Sequence, residues 1–252
     1  MIDVFPLALA AGAGVLGGAM NALAGGGTFA TMPSLIALGL PSPIANATSN
    51  VALQPGAITS AWAYRDGLRP LAGIGIRRLS IITFAGGLVG SLLLVATPTR
   101  TFDLVIPWLL LMATIAIALG KRAAEALARH ATPGPRTLLG AQALLGVYGG
   151  YFGGGVGLMM TATWGLLTGE LPHRLMAHRT MMLAVANAAA TIVFVVSGMV
   201  HWTLCVPMLL GAIAGGYLGA LVGKLLPPGV IRGWTLLITA VTTIVFFYRA
   251  YG

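Results

Sequence analysis

The sequence predicts an all-α polytopic membrane protein made of two homologous halves, each a glycine-broken helix pair followed by three transmembrane helices. Three observations carry this. The 252-residue chain is 58% hydrophobic and 8% charged, with a mean hydropathy of +0.93, a composition typical of integral membrane proteins. Weakly charged apolar stretches cover 79–97, 104–120, 180–200, 203–223 and 233–248, close to the ~20 residues a helix needs to cross ~30 Å of hydrocarbon. The third observation is that the chain is written twice.

The repeat shows as anchors recurring in order. GVLGG at 14–18 answers GVYGG at 146–150, and Gly25-Gly26-Gly27 answers Gly153-Gly154-Gly155. Leu40-Pro41 answers Leu171-Pro172, Asp66-Gly67 answers Ser197-Gly198, and GGLVGS at 86–91 answers GGYLGA at 215–220. The offsets are 132, 128, 131, 131 and 129 residues. These anchors delimit a first repeat at 1–120, a polar cytoplasmic linker at 121–136 and a second repeat at 137–252.

Each half opens on a glycine-interrupted stretch, 4–40 and 137–171. At ~35 residues these are too long for one straight span and short for two. They predict two shortened helices meeting at the glycines. Segment 44–64, polar for a span, follows in the first half, and the apolar stretches complete both. No ten-residue alternation of the barrel type is present.

Charge placement selects the relative orientation of the halves. Counting each interrupted stretch as two crossings inverts the second half and puts twelve of the fourteen Lys and Arg on one side. Counting it as one makes the halves parallel and leaves nine. The positive-inside rule favours inversion, with short basic loops on the cytoplasmic side. The same rule accounts for the net charge of +9 without nucleic acid. The N-terminus has Asp3 and no basic region, which argues against a cleaved signal peptide. The single Cys205 excludes an intramolecular disulfide and a multi-cysteine metal site.

Glycine in a helix interior costs about 1 kcal/mol relative to alanine, so two runs at matching positions ask for a reason. Short glycine-broken segments in corresponding places of two halves point to a transporter site. Breaking a helix frees backbone groups that must be buried in protein or line a polar cavity, and the N-terminus of the following half-helix suits an anion. Candidate binding residues are therefore Gly25, Gly26, Gly27 and Gly153, Gly154, Gly155, with Thr28 adding a hydroxyl. A different series, Gly86 and Gly90 with Gly211, Gly215, Gly219 and Gly223, recurs every four residues and is assigned to close helix packing, a pattern that also suits a homodimer.

Asn46, Asn50 and Gln54 share one helix face, with Thr48 and Ser49 beside them; in the second half Thr180, Asn187 and Thr191 do the same. Such amides serve either as interhelical glue or as a substrate pathway. All five acids, Asp3, Asp66, Asp103, Glu125 and Glu170, fall in predicted loops or at segment ends, which disfavours cation transport. Arg179, at the start of a span beside His178, offers a planar fork of donors for an oxyanion, and His178 a proton acceptor. No HExxH, GxSxG or Walker loop occurs, so neither an enzyme nor an ATP-driven pump is expected, and no cofactor is implied.

The stretch GVLGGAMNALAGGGTFATMPSLIALGLPSPIANATSN, with Gly25–Gly27, Pro33, Leu35, Thr48 and Ser49, resembles the sulfite exporter TauE/SafE family. Its second copy, GVYGGYFGGGVGLMM, keeps the glycines but lacks the following Pro-x-Leu, and Arg179-Thr180 stand where the first copy has Thr48-Ser49. The resemblance covers essentially the whole chain. It implies a secondary transporter exporting sulfite, sulfoacetate or a related organosulfur anion. Besides the substrate, the expected partner is the lipid bilayer. Two alternatives are a carrier of a neutral or other small solute and a non-transporting membrane scaffold or assembly factor.

Overall fold

A computed structural model describes residues 4–127, 134–223 and 225–252, without the side chains of 120–127, 220, 223 and 228. Asp3, Arg129 and Lys224 thus lie outside the described residues, as does the centre of the linker. Ten α-helices account for nearly all the rest: α1 (Val4–Ala24), α2 (Thr28–Ala37), α3 (Ser42–Ala63), α4 (Ile76–Ala96), α5 (Thr99–Leu127), α6 (Pro135–Tyr151), α7 (Val156–Thr168), α8 (Met176–Val196), α9 (Trp202–Gly223) and α10 (Pro228–Tyr251). Six of these, α1, α4, α5, α8, α9 and α10, are long and apolar enough to cross a membrane. At 22 residues α3 matches them in length, but its amides and hydroxyls lower its hydropathy. The multi-pass helical class is therefore as predicted.

The interrupted stretches are helix pairs, but unequal ones. α1 keeps 21 residues and α2 only 10, against 17 and 13 for α6 and α7. Only α2 and α7 are markedly short. α5 runs on to Leu127, so 121–127 of the predicted linker continue a helix.

Contacts fix the helix directions. Gly14 and Gly18 of α1 face the backbone of Met208 and Ala212 of α9, while Gly211 and Gly215 face Ala11 and Val15. Both series ascend together, so α1 and α9 run parallel. Gly86 and Gly90 of α4 meet Ala143 and Val147 of α6 in the same way. α3 and α8 run antiparallel, with Asn50 bonded to Asn187 and Thr191, and Gln54 to Ala184. α5 and α10 are also antiparallel, from Thr114–Thr243 to Trp108–Tyr251. Each half's opening helix is thus clamped by the other half's fourth helix, with α3 and α8 between them.

Gly86, Gly90, Gly211, Gly215 and Gly219 pack as predicted, while the surroundings of Gly223 lie outside the described residues. A Cβ on Gly90, Gly150, Gly211 or Gly215 would collide with a backbone carbonyl of the neighbouring helix, the close approach that small residues permit. The contacts correct one sequence pairing. Ala143 and Val147 lie 132 residues beyond Ala11 and Val15 (143 − 11 and 147 − 15), yet their partners Gly86 and Gly90 lie 125 before Gly211 and Gly215. The α4 and α9 glycines therefore correspond one helical turn away from the offset of 129.

With directions alternating, the α3–α4 and α7–α8 connections share one end of the molecule; Arg69 there contacts both His178 and Glu170. Arg65, Arg69, Arg77, Arg78, Arg136, Arg174, Arg179 and Arg232 gather at this basic end. Arg100 and Arg249 sit at the other, where Ser42 bonds Asp103 and the Thr48 hydroxyl accepts the His201 N–H.

Candidate functional site

Both breaks use glycine to stop a helix. Gly25 takes φ 76° and returns its N–H to the carbonyls of Met20 and Asn21 at 3.2 and 2.9 Å. Gly153 takes φ 74° and returns its N–H to Tyr148 at 3.2 Å. This left-handed stop is open to glycine at little cost. The chain then restarts as α2 behind Gly27 and as α7 behind Gly155, neither capped by a side chain.

The two tips meet. A Cβ on Gly25 would lie 3.5 Å from the Cα of Gly157, in the first turn of α7. A Cβ on Gly157 would lie 3.3 Å from Cγ of Arg179. The glycine triplets themselves mostly pack: Gly27 presses on Gly17 and Leu53, Gly26 and Gly155 lie under the Phe29 ring, and Gly154 lies under Phe152. The Gly154 carbonyl accepts the Tyr148 hydroxyl at 2.7 Å. Gly153 faces Asn50 and Asn187. Thr28 lines a narrow apolar gap with Phe29, Met32, Pro33 and Phe246, away from Arg179.

The polar stripe of α3 bridges the halves. Asn46 donates to the Tyr151 carbonyl at 3.1 Å, Gln54 to the Ala184 carbonyl at 3.2 Å, and Asn50 to Asn187 at 3.3 Å while accepting from Thr191 at 3.2 Å. Ser49 bonds Thr31, and Thr180 returns its hydroxyl to its own helix at Met176 and Ala177. Interhelical bonding thus engages most of these groups, although Asn46 Oδ1 and Gln54 Oε1 are buried without a partner.

Arg179 differs from every other described cation. It is 6% exposed, pairs with no carboxylate among the described residues, and donates from Nη2 to the thioether of Met176 at 2.8 Å. A thioether is a weak acceptor, so this buried guanidinium has most of its donors unspent, while the aliphatic part of the side chain packs against the first turn of α7. A guanidinium and free helix-terminal N–H groups are the kinds of donor that suit an anion. His178 is fully buried and its Nε2 donates to the Arg69 carbonyl at 2.7 Å. It therefore positions the α3–α4 connection against α8, and its ring lies edge-on to Trp164.

Sequence reasoning passed over Met176. Met176 precedes Arg179 by one helical turn, a spacing that brings two side chains together, but nothing singled out a methionine among eleven. Gly157 stands outside the triplet, and its closeness to Arg179 arises only from packing.

The TauE/SafE sulfite exporter family model matches residues 10–246. The probable membrane transporter protein YfcA of Escherichia coli is 25% identical over 239 residues, covering 94% of this chain and 88% of its own. A probable membrane transporter protein of Haemophilus influenzae is 27% identical over 204 residues, covering 80% and 78%. No solved structure matches the chain.

Proposed function

The chain belongs to the sulfite exporter TauE/SafE family, a family of membrane transporters, and on that premise we propose that it is an inner-membrane secondary transporter exporting a small anion of the sulfite or organosulfonate class. One observation carries the choice of an anion. The buried Arg179 has no carboxylate among the described residues and lies against the first turn of α7. A charge removed from water needs a counterion or strong hydrogen bonds, and a transported oxyanion supplies both.

The basic end faces the cytoplasm under the positive-inside rule. The halves act as an inverted repeat, with the anion held where the tips of α1 and α7 meet. Anion exit is then favoured by about 2.3 kcal/mol per charge per 100 mV of interior-negative potential, so no proton-relay carboxylate is required.

Proteoliposomes loaded with sulfite or sulfoacetate test the proposal under an imposed potassium diffusion potential. Efflux that rises with the potential, and that Arg179→Ala abolishes while Arg179→Lys partly retains it, is the expected result. Absence of flux for both anions at every potential overturns it. Efflux of uncharged solutes that survives Arg179→Ala would replace the anion by a neutral substrate.

A further inference from the structure

At the basic end a cleft of about 520 Å³ opens between the α3–α4 connection and the start of α8. Tyr64, Asp66 and Arg69 line it from the segment after α3, and His173, Arg174 and Met176 from the segment that opens α8. Its walls come from different halves and are joined at the back by the bond from His178 to the Arg69 carbonyl. Arg69 and Arg174 are half exposed and share one carboxylate oxygen, Glu170 Oε2, at 3.1 and 3.9 Å. Asp66 is engaged by Arg65 at 3.8 Å, so three guanidiniums against two carboxylates leave one net positive charge at the mouth. Behind Met176 stands Arg179, whose Nη2 holds the Met176 sulfur at 2.8 Å.

We propose that this cleft is a loading site, in which Arg69 and Arg174 take the anion in exchange for Glu170 and Met176 separates it from Arg179. The inference rests on the anion reading above and adds a second, outer binding position on the same route. Three features converge on it. Glu170 is a tethered carboxylate, so an incoming sulfonate or oxyanion competes for the same forked donors. The Met176 side chain touches both the cleft and the only described arginine that is buried without a carboxylate. A thioether on three rotatable bonds moves aside more cheaply than a branched or aromatic side chain would. At the opposite end the Thr48–His201, Asn46–Tyr151 and Ser42–Asp103 bonds join the helices, so the described conformation is one loaded from the basic end.

The test is a labelling experiment that needs no transport. Cys205 is buried and is replaced by alanine, after which His173→Cys or Ala177→Cys gives a single thiol in the cleft. Purified protein in phosphatidylcholine vesicles is treated with the anionic 2-sulfonatoethyl methanethiosulfonate or its trimethylammonium analogue. The expected result is modification about tenfold faster by the anionic reagent, after correction for intrinsic reactivity. That preference collapses in Arg69→Gln with Arg174→Gln and increases in Glu170→Gln. Sulfoacetate slows labelling at Ala177→Cys. Equal rates for the two reagents, or a preference indifferent to both arginines, overturns the loading site. Slower labelling in vesicles containing phosphatidylglycerol, with sulfoacetate without effect, overturns it too and assigns the arginines to lipid phosphate. Because labelling and efflux are separate readouts, a charge-selective cleft in a protein without anion flux would sink the transport reading alone. Efflux without charge selectivity would sink the loading site alone.

Discussion

The two helix breaks share a sequence and a stop mechanism, yet they carry different chemistry. Gly25 and Gly153 end their helices in the same left-handed conformation. The second residue of the short helix that follows is Phe29 at one break and Gly157 at the other, 128 residues apart like the triplets themselves. Phe29 lays its ring over Gly155 and Gly26 and fills the space; Gly157 leaves room for the aliphatic part of Arg179. The position corresponding to Arg179 in the first half is Thr48, which accepts the His201 N–H. One tip is therefore filled by an aromatic ring, and the other packs against the buried Arg179 that the proposed anion would meet. Two breaks built alike need not have like surroundings: two residues per tip decide the polarity around it.

The comparison breaks most visibly at Arg179. Removing a buried charge that meets a charged ligand costs about 2–5 kcal/mol, so Arg179→Ala should lower anion efflux at least ~30-fold. Thr48→Ala, its counterpart, should change efflux only slightly. Equal losses at the two positions, measured in the same vesicles, would mean that the tips are functionally alike.

Next in size is the backbone of the tips. Gly155 is also left-handed, with φ 70°, whereas Gly27 has an ordinary φ of −58°. A left-handed alanine costs about 1–2 kcal/mol. Gly153→Ala with Gly155→Ala should therefore lower the detergent melting temperature about twice as far as Gly25→Ala, and Gly27→Ala should act through its contact with Gly17 rather than through φ. Gly157→Ala sharpens the point differently. Its φ is helical, so folding should hold, but the new Cβ lies 3.3 Å from Arg179 Cγ. Displacing that side chain should reduce efflux several-fold with little change in melting, seen by assaying both on one preparation.

The smallest effects belong to the bonds that hold the second tip. Tyr148→Phe removes the donor to Gly154 and should cost about 1 kcal/mol. Asn187→Ala, which removes the acceptor of the Asn50 amide N–H but leaves its bond from Thr191, should cost about 0.6 kcal/mol, as is usual for hydrogen bonds between membrane helices. A melting curve for each variant, with efflux near wild type, is the expected outcome.

Much of this architecture was legible in the amino-acid order, for identifiable reasons. Spans 79–97 and 203–223 became α4 (76–96) and α9 (202–223) because a hydrocarbon layer accepts only long apolar helices. The breaks were legible because three consecutive glycines do not sustain a helix against their own entropy. The register of α4 against α9 was not. Glycines repeat every four residues in both, so an alignment one turn out matches equally well, and only the backbone contacts to α1 and α6 distinguish the two. The full length of α1 was also missed: clamping by α9 supports its glycine-rich face to Ala24, where propensity alone would end it early.

The sequence by itself therefore determined the class, the helices and the places where they break, since each follows from local hydropathy and glycine content. It also placed one arginine at the start of a span with no acid nearby in sequence. Only the tertiary structure decided which tip that arginine would pack against, that Gly157 would make room for it, and that Met176 would stand between it and a basic cleft. Those outcomes depend on long-range packing between α1 and α9, α4 and α6, and α3 and α8, where close backbone approach sets position to within a fraction of an ångström and no local pattern records it.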